Sequence, residues 1–331
     1  MNIEAMYELI ESFPEQINFG LDLSERFEMC RGATPSAVLI AGMGGSGIGG
    51  RIVSQYLQST CNLPILTVND YSLPHWCDKN TLVILCSYSG NTEETISVMR
   101  YAIERECKIA CVTSGGTIAE LAETNNLPCI NIPGGKPPRS QFALAYIQLL
   151  RLLELHGIIN SSFKLDLKKA SLVLLSEQAA IKSRCSKIAA SIATRVPTLY
   201  ADSSMEGIAA RWRQQLNENA KMLCIHHQIP EMNHNELVGW GGADNRFAAI
   251  ILKSDFDHPK TKIRMDISAK IMKKHSDQVH EIHAKGETAL IQMFYLIHFG
   301  DWLSLYLANE RGFDPVAIPE IELLKSELSK I

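Results

Sequence analysis

Two short segments combine glycines and hydroxyls in a way that suits an anion. The first, Gly42-Met43-Gly44-Gly45-Ser46-Gly47, follows the apolar run SAVLIAG (36–42) and opens a helical stretch, IGGRIVSQYLQS. In that setting backbone N–H groups at a helix N-terminus face an anion, and the glycines, Gly45 among them, permit close approach. The same segment fits the dinucleotide fingerprint G-x-G-x-x-G, and Asp70 ends the next strand-like run, near where a ribose-binding acid is expected. The second segment, Ser87-Tyr88-Ser89-Gly90-Asn91-Thr92, follows TLVILCSYSG (81–90) and again opens a helix, at Glu93-Glu94-Thr95. Three hydroxyls in six residues, at the carboxyl end of a buried strand, suit the oxygens of a terminal phosphate monoester. A dinucleotide has use for the first loop but none for the second. As turn and cap residues, Ser87, Ser89 and Thr92 would have only a local role. Their crowding beside a second glycine loop favours phosphate binding.

The elements that must position these loops read as an alternation. An N-terminal helix is expected over about residues 3–30. Strands follow at 36–42, 64–70, 81–90, 108–114 and 127–133, with helices at 92–106 and around TIAELAETN. Strands without polar alternation, separated by helices, indicate a parallel sheet covered on both faces. A long helix, FALAYIQLLRLLELHG (142–157), leaves that unit, and helical material continues to about Thr194. Alternation then resumes with strands at 196–202, 246–253 and 278–284 and helices at 207–222, around 262–274 and at 288–310. PEIELLKSELSKI closes the chain. The reading is α/β, with two doubly wound parallel-sheet units covered by helices, one over 1–155 and one over 156–331.

Composition bounds the function. The chain has 331 residues and a net charge of −4, which argues against bulk nucleic-acid binding. The acidic, amphipathic N-terminus does not read as a secretory signal, and no apolar run approaches a membrane span, so a cytoplasmic protein is expected. Nine cysteines lie mostly in apolar runs and form no Cys-x-x-Cys. His280 and His283 sit on a strand, where neighbours three apart point to opposite faces, so no metal site is expected there.

The loops GMGGSGIGG and SYSGNTEET resemble those of the sugar-isomerase (SIS) domain. Arg211-Trp212-Arg213-Gln214-Gln215-Leu216-Asn217-Glu218-Asn219-Ala220-Lys221 and Glu231-Met232-Asn233-His234-Asn235-Glu236 resemble the bifunctional phosphoglucose/phosphomannose isomerases, a family with two SIS domains. The resemblance covers nearly the whole chain. It implies interconversion of glucose 6-phosphate and fructose 6-phosphate, and of mannose 6-phosphate and fructose 6-phosphate. It also implies phosphate binding by Ser46, Ser87, Ser89 and Thr92, with Glu218 as the base. By the same resemblance His234 opens the sugar ring from the neighbouring subunit of a homodimer, Arg139 faces the enediolate, and Lys325 lies near the ring oxygen. Some members place a Thr seven residues before the C-terminal Lys. Here that position is Ile318, and this departure bears on the mannose activity more than on the glucose activity.

The chemistry is consistent with these residue types. Moving a proton between C1 and C2 needs one base, a positive group for the developing enediolate charge, and an acid/base for ring opening near neutral pH. Neither a metal nor an organic cofactor is required. Three alternatives stay open: an SIS isomerase for another phosphosugar, a non-catalytic SIS module that senses a phosphosugar, and a dinucleotide dehydrogenase. A sensor needs the loops but not Glu218, His234 and Arg139 together.

Overall fold

The computed structural model describes residues 2–29, 34–328 and 330. The chain opens with α1 (Ile3–Glu11) and α2 (Phe13–Glu25). The single helix expected over 3–30 is therefore two, divided at Ser12, and Pro14 sits in the first turn of α2 where its missing N–H does no harm. The expected end at residue 30 lies outside the described residues.

The first sheet follows. Its strands are β1 (Ala37–Ala41), β2 (Ile65–Val68), β3 (Thr81–Ser87), β4 (Lys108–Thr113) and β5 (Cys129–Asn131). Between them run α3 (Gly44–Leu57), α4 (Glu93–Glu104) and α5 (Gly116–Thr124). All pairings are parallel, in the order β2-β1-β3-β4-β5. Every residue of β1 and β3 is buried, as expected of central strands covered on both faces.

Then come α6 (Phe142–Leu155) and the 31-residue α7 (Ser162–Ile192). The second sheet contains β6 (Val196–Asp202), β7 (Ile225–Ile229), β8 (Phe247–Lys253) and β9 (Val279–His283), all parallel, in the order β7-β6-β8-β9. Strand β7, IHHQI, was not anticipated. Its two histidines and glutamine interrupt the apolar run that marks its neighbours, and it is an edge strand. The accompanying helices are α8 (Glu206–Ala220), the one-turn α9 (Glu236–Gly239), α10 (Pro259–Met272), α11 (Ala289–Glu310) and α12 (Pro319–Leu328).

One hydrophobic core runs from α1 and α2 through α6, α7, α8 and α11 and touches both sheets. Within it lies a buried ion pair, in which Arg211 donates to both carboxylate oxygens of Asp301 at 2.9 and 3.0 Å. Gln215 donates to the same carboxylate at 2.6 Å. Burial raises the Asp301 pKa, opposed by Arg211 and Gln215. Removing one member leaves an unpaired buried charge, so Asp301→Ala is expected to destabilise the protein by about 3–5 kcal/mol. A urea midpoint unchanged from the parent would show that the pair contributes nothing net.

Candidate active site

In the order β2-β1-β3-β4-β5 the chain reverses direction across the sheet between β1 and β3, and ligands of open α/β sheets bind outside the strand ends at such a point. The two glycine–hydroxyl loops flank it. Gly42 to Gly44 lead from β1 into α3, and Ser87 to Thr92 lead from β3 into α4. The loops are tied together: the Tyr88 N–H donates to Ser46 Oγ at 3.0 Å. Ser87 Oγ and Thr92 Oγ1 share a hydrogen bond of 2.9 Å. Thr92 occupies the N-cap of α4 but makes no side-chain cap bond, and Met43 leaves α3 likewise without a side-chain cap. The Thr92 hydroxyl thus faces Ser87 rather than the helix end, which argues against a purely capping role.

A third loop, Ser114–Thr117, underpins the second. Ser114 Oγ donates to the Tyr88 carbonyl at 2.6 Å, and Asn91 Oδ1 accepts from the N–H and the hydroxyl of Thr117. Sequence reasoning passed over this loop, although its Ser-Gly-Gly-Thr at a strand end carries the same signal as the first two.

Arg139 lies in a 3-10 turn (Pro138–Ser140), and a Cβ at Gly45 would stand 3.5 Å from its backbone. Its side chain is 4 % exposed. Nη1 donates to Glu218 Oε2 at 3.0 Å and Nε to Asn219 Oδ1 at 2.7 Å. Nη2 donates to the carbonyls of Pro315 and Val316 at 2.5 and 3.2 Å. Burial pulls the Arg139 pKa below its ordinary value, opposed by Glu218. The Asn219 amide also donates to Ser304 Oγ on α11 at 2.9 Å, and the Asn217 amide donates to the Met222 carbonyl at 3.3 Å. The two asparagines beside Glu218, weak helix formers, thus have specific polar partners. The Glu218 side chain is 26 % exposed, so it is open to a ligand while its last turn is held from behind.

The fold therefore assembles Gly45, Ser46, Ser87, Thr92, Arg139 and Glu218 around one sheet end, with Ser89 exposed in the second loop. Among the described residues no hydrogen bond or ion pair joins His234 or Lys325 to Arg139 or Glu218. His234 is exposed on the 3-10 turn Glu231–His234, and Lys325 is exposed on α12, none of whose residues is buried. Ile318, half-buried, offers its carbonyl to the Ile321 and Glu322 N–H groups at the start of α12. His280 bonds to Gln278 and Ser191, and no group of three or more metal-ligating side chains occurs among the described residues.

The second sheet has the matching point between β6 and β8, but with different chemistry. Asp202 and Asp257 are buried there, and each keeps one carboxylate oxygen without a hydrogen-bond partner among the described residues. Burial pushes the Asp257 carboxyl up to about 7, opposed by the Ser254 N–H and reinforced by Asp202. A phosphate would meet carboxylates there. A carboxyl raised in the folded state contributes stability that is present below the ordinary aspartate value of about 4 and is lost as pH rises towards about 7. The chain should lose stability between about pH 4 and pH 7 relative to Asp257→Asn, which cannot ionise. Parallel pH profiles of the two unfolding midpoints would refute this.

The geometry of the second loop yields another expectation. Gly90 has φ +70° and is covered by the Gly115 carbonyl, which a Cβ would strike. Gly90→Ala should displace the Ser87–Thr92 loop and weaken binding of a phosphate ligand about 10-fold or more. Unchanged affinity for inorganic phosphate in titration would speak against the loop as the anion site.

The SIS domain family matches residues 34–131, and the bacterial phospho-glucose isomerase C-terminal SIS domain family matches residues 181–328. A bifunctional phosphoglucose/phosphomannose isomerase from Aquifex aeolicus is 34% identical over 99% of this chain and 99% of its own. A D-glucosamine-6-phosphate 4-epimerase from Sulfolobus acidocaldarius is 33% identical over 67% of this chain and 70% of its own. The solved C-terminal domain of glucosamine-fructose-6-phosphate aminotransferase from Francisella tularensis shares the fold, with a TM-score of 0.75 over 94% of this chain and 98% of that one at 13% identity. By its similarity over almost its full length, the chain belongs to the bifunctional phosphoglucose/phosphomannose isomerase family.

Proposed function

We propose that this chain interconverts glucose 6-phosphate and fructose 6-phosphate, and mannose 6-phosphate and fructose 6-phosphate, through a cis-enediol(ate). The observation that carries the reading is the Arg139–Glu218 pair, 3.0 Å apart, seated against Gly45 of a phosphate-type loop. A sugar anchored by its phosphate at Ser46, Ser87, Ser89 and Thr92 would extend towards that pair. Glu218 removes a proton from C2 of the aldose or C1 of the ketose and returns it to the other carbon. Arg139, fixed by its other acceptors, stabilises the negative charge that develops on the enediolate oxygen.

His234 opens the ring, and Lys325 serves the ring oxygen. Because no hydrogen bond or ion pair joins His234 to Arg139 or Glu218 within one chain, we place His234 in a partner's site across a homodimer. The exposure of Val238, four residues beyond His234, supports that placement: it is 82% exposed, unusual for a large apolar side chain. The division into two SIS units at 155/156 is part of the same proposal, supported by the end of α6 at Leu155. So is a cytoplasmic location, with which the free thiols of the eight described cysteines agree. No helix among the described residues is long and apolar enough to cross a membrane.

The test is to incubate the purified protein with fructose 6-phosphate and EDTA and to assay both aldose phosphates separately. Both should form, unaffected by the chelator. Failure to form either, with turnover of glucosamine 6-phosphate instead, would move the chain to the chemistry named for its Sulfolobus relative. Glu218→Gln keeps shape and hydrogen bonding but removes the base, so isomerisation in every direction should fall by about 10²–10⁴-fold or more. Exchange of the C1 hydrogen of fructose 6-phosphate in deuterated water should stop with it. Exchange at the parent rate in that variant would identify another residue as the base. Ser87→Ala removes a neutral hydroxyl from a charged phosphate and should raise KM about 10- to 150-fold, with some loss of kcat if phosphate binding also positions the sugar.

A further inference from the structure

Lys221 ends α8 in the left-handed conformation, with φ 49° and ψ 43°. Glycine or asparagine is the usual residue at such a helix end, because a Cβ meets a steric penalty there that glycine avoids and asparagine offsets with a local hydrogen bond. Retention of a lysine calls for a reason in its side chain. The ammonium has three N–H donors, and each has a carbonyl. Nζ donates to Glu218 O at 2.5 Å, to Ala317 O at 2.6 Å and to Asp314 O at 2.7 Å. The two carbonyls in between, Pro315 and Val316, accept from Arg139.

Four successive carbonyls, 314 to 317, are thus shared between two cations. The Asp314 carboxylate tightens the turn by accepting from the Val316 and Ala317 N–H groups at 2.8 and 3.4 Å. Burial and the nearby Arg139 charge both pull the Lys221 pKa down, so the two cations repel. The carbonyl dipoles between them offset that repulsion.

We infer that Lys221 is a positioning residue for the isomerisation proposed above, holding the 314–317 segment so that the Arg139 guanidinium stays aligned with the Glu218 carboxylate. With all three donors engaged, the ammonium has none left for a substrate, which separates it from a catalytic group. Without it the segment loses the bonds that tie its outer carbonyls to the end of α8, keeping at Asp314 the exposed bonds that its carboxylate accepts from Asn2 at 3.2 Å, and Arg139 keeps acceptors that are free to shift. The phosphate loops lie on other elements and are unaffected, so the defect falls on turnover.

The inference rests on the isomerase reading, and the experiment separates the two. Absence of fructose 6-phosphate turnover in the parent protein would overturn the reading itself. Given an active parent, Lys221→Met keeps the aliphatic stem and loses the ammonium, while Lys221→Gly also relieves the backbone. Both should lower kcat by about 10- to 100-fold with KM changed by less than about 3-fold. Activity of Lys221→Gly should recover in n-butylammonium and not in sodium at equal ionic strength. If Lys221→Met fails to fold, the glycine variant, suited to the backbone, still decides. A parent-like kcat in Lys221→Gly would leave only a helix-end role and overturn the inference. A rise in KM with kcat unchanged would do the same, by assigning Lys221 to binding.

Discussion

A buried guanidinium cannot remain charged unless its donors are satisfied, and the arrangement of this protein around Arg139 follows from that constraint. Four acceptors meet it: Glu218, Asn219 and the carbonyls of Pro315 and Val316. Each belongs to something that must itself be held. Asn219 is fixed from behind by Ser304 of α11. The backbone of Arg139 is held through its carbonyl, which accepts from Arg211 at 3.1 Å, and Arg211 is paired with Asp301 on α11. A chain of charge-assisted bonds therefore runs from the core helix to the edge of the glycine–hydroxyl loops. The residue that could serve the developing enediolate is rigid because its neighbours leave it no alternative partner, which is the condition for electrostatic stabilisation without reorganisation.

The two sheets share a strand order but not an electrostatic character at their ligand-binding ends. At the β1–β3 point the loops carry glycines and neutral hydroxyls, and helices α3 and α4 lack side-chain caps. At the β6–β8 point buried carboxylates take that place. Hydroxyls and helix N-termini favour a dianion, whereas desolvated carboxylates repel it. On the proposed reading, the duplicated architecture leaves one half to hold the phosphate and the other to present α8 with Glu218. Their packing is direct, since Gln55 and Arg51 on α3 bond to Glu206 at the start of α8, with His226 of β7 on the same carboxylate.

Much of this was legible along the chain. Buried parallel strands announce themselves as unbroken apolar runs, and both loops beside the β1–β3 point stand out as glycine–hydroxyl clusters at strand ends. Where local signals mix, legibility fails. The break at Ser12 lies inside one amphipathic pattern, and β7 hides its strand character behind His226, His227 and Gln228. The Ser114–Thr117 loop bears a readable signal whose purpose, supporting Tyr88 and Asn91, exists only in three dimensions.

The sequence by itself determined the fold class, the two glycine–hydroxyl loops and the family resemblance, because these rest on periodicity and on residues close together in the chain. Only the tertiary structure decided that Arg139 meets Glu218, 79 residues away, and the carbonyl of Pro315, 176 residues away. It also decided that His234 and Lys325 lie exposed and unjoined to that pair. The physical reason is that half of Arg139's acceptors, and all of those of Lys221, are backbone carbonyls. Every residue carries a carbonyl, so no residue type marks the ones that matter until the packing of α8, α11 and the 314–317 segment brings them to a cation.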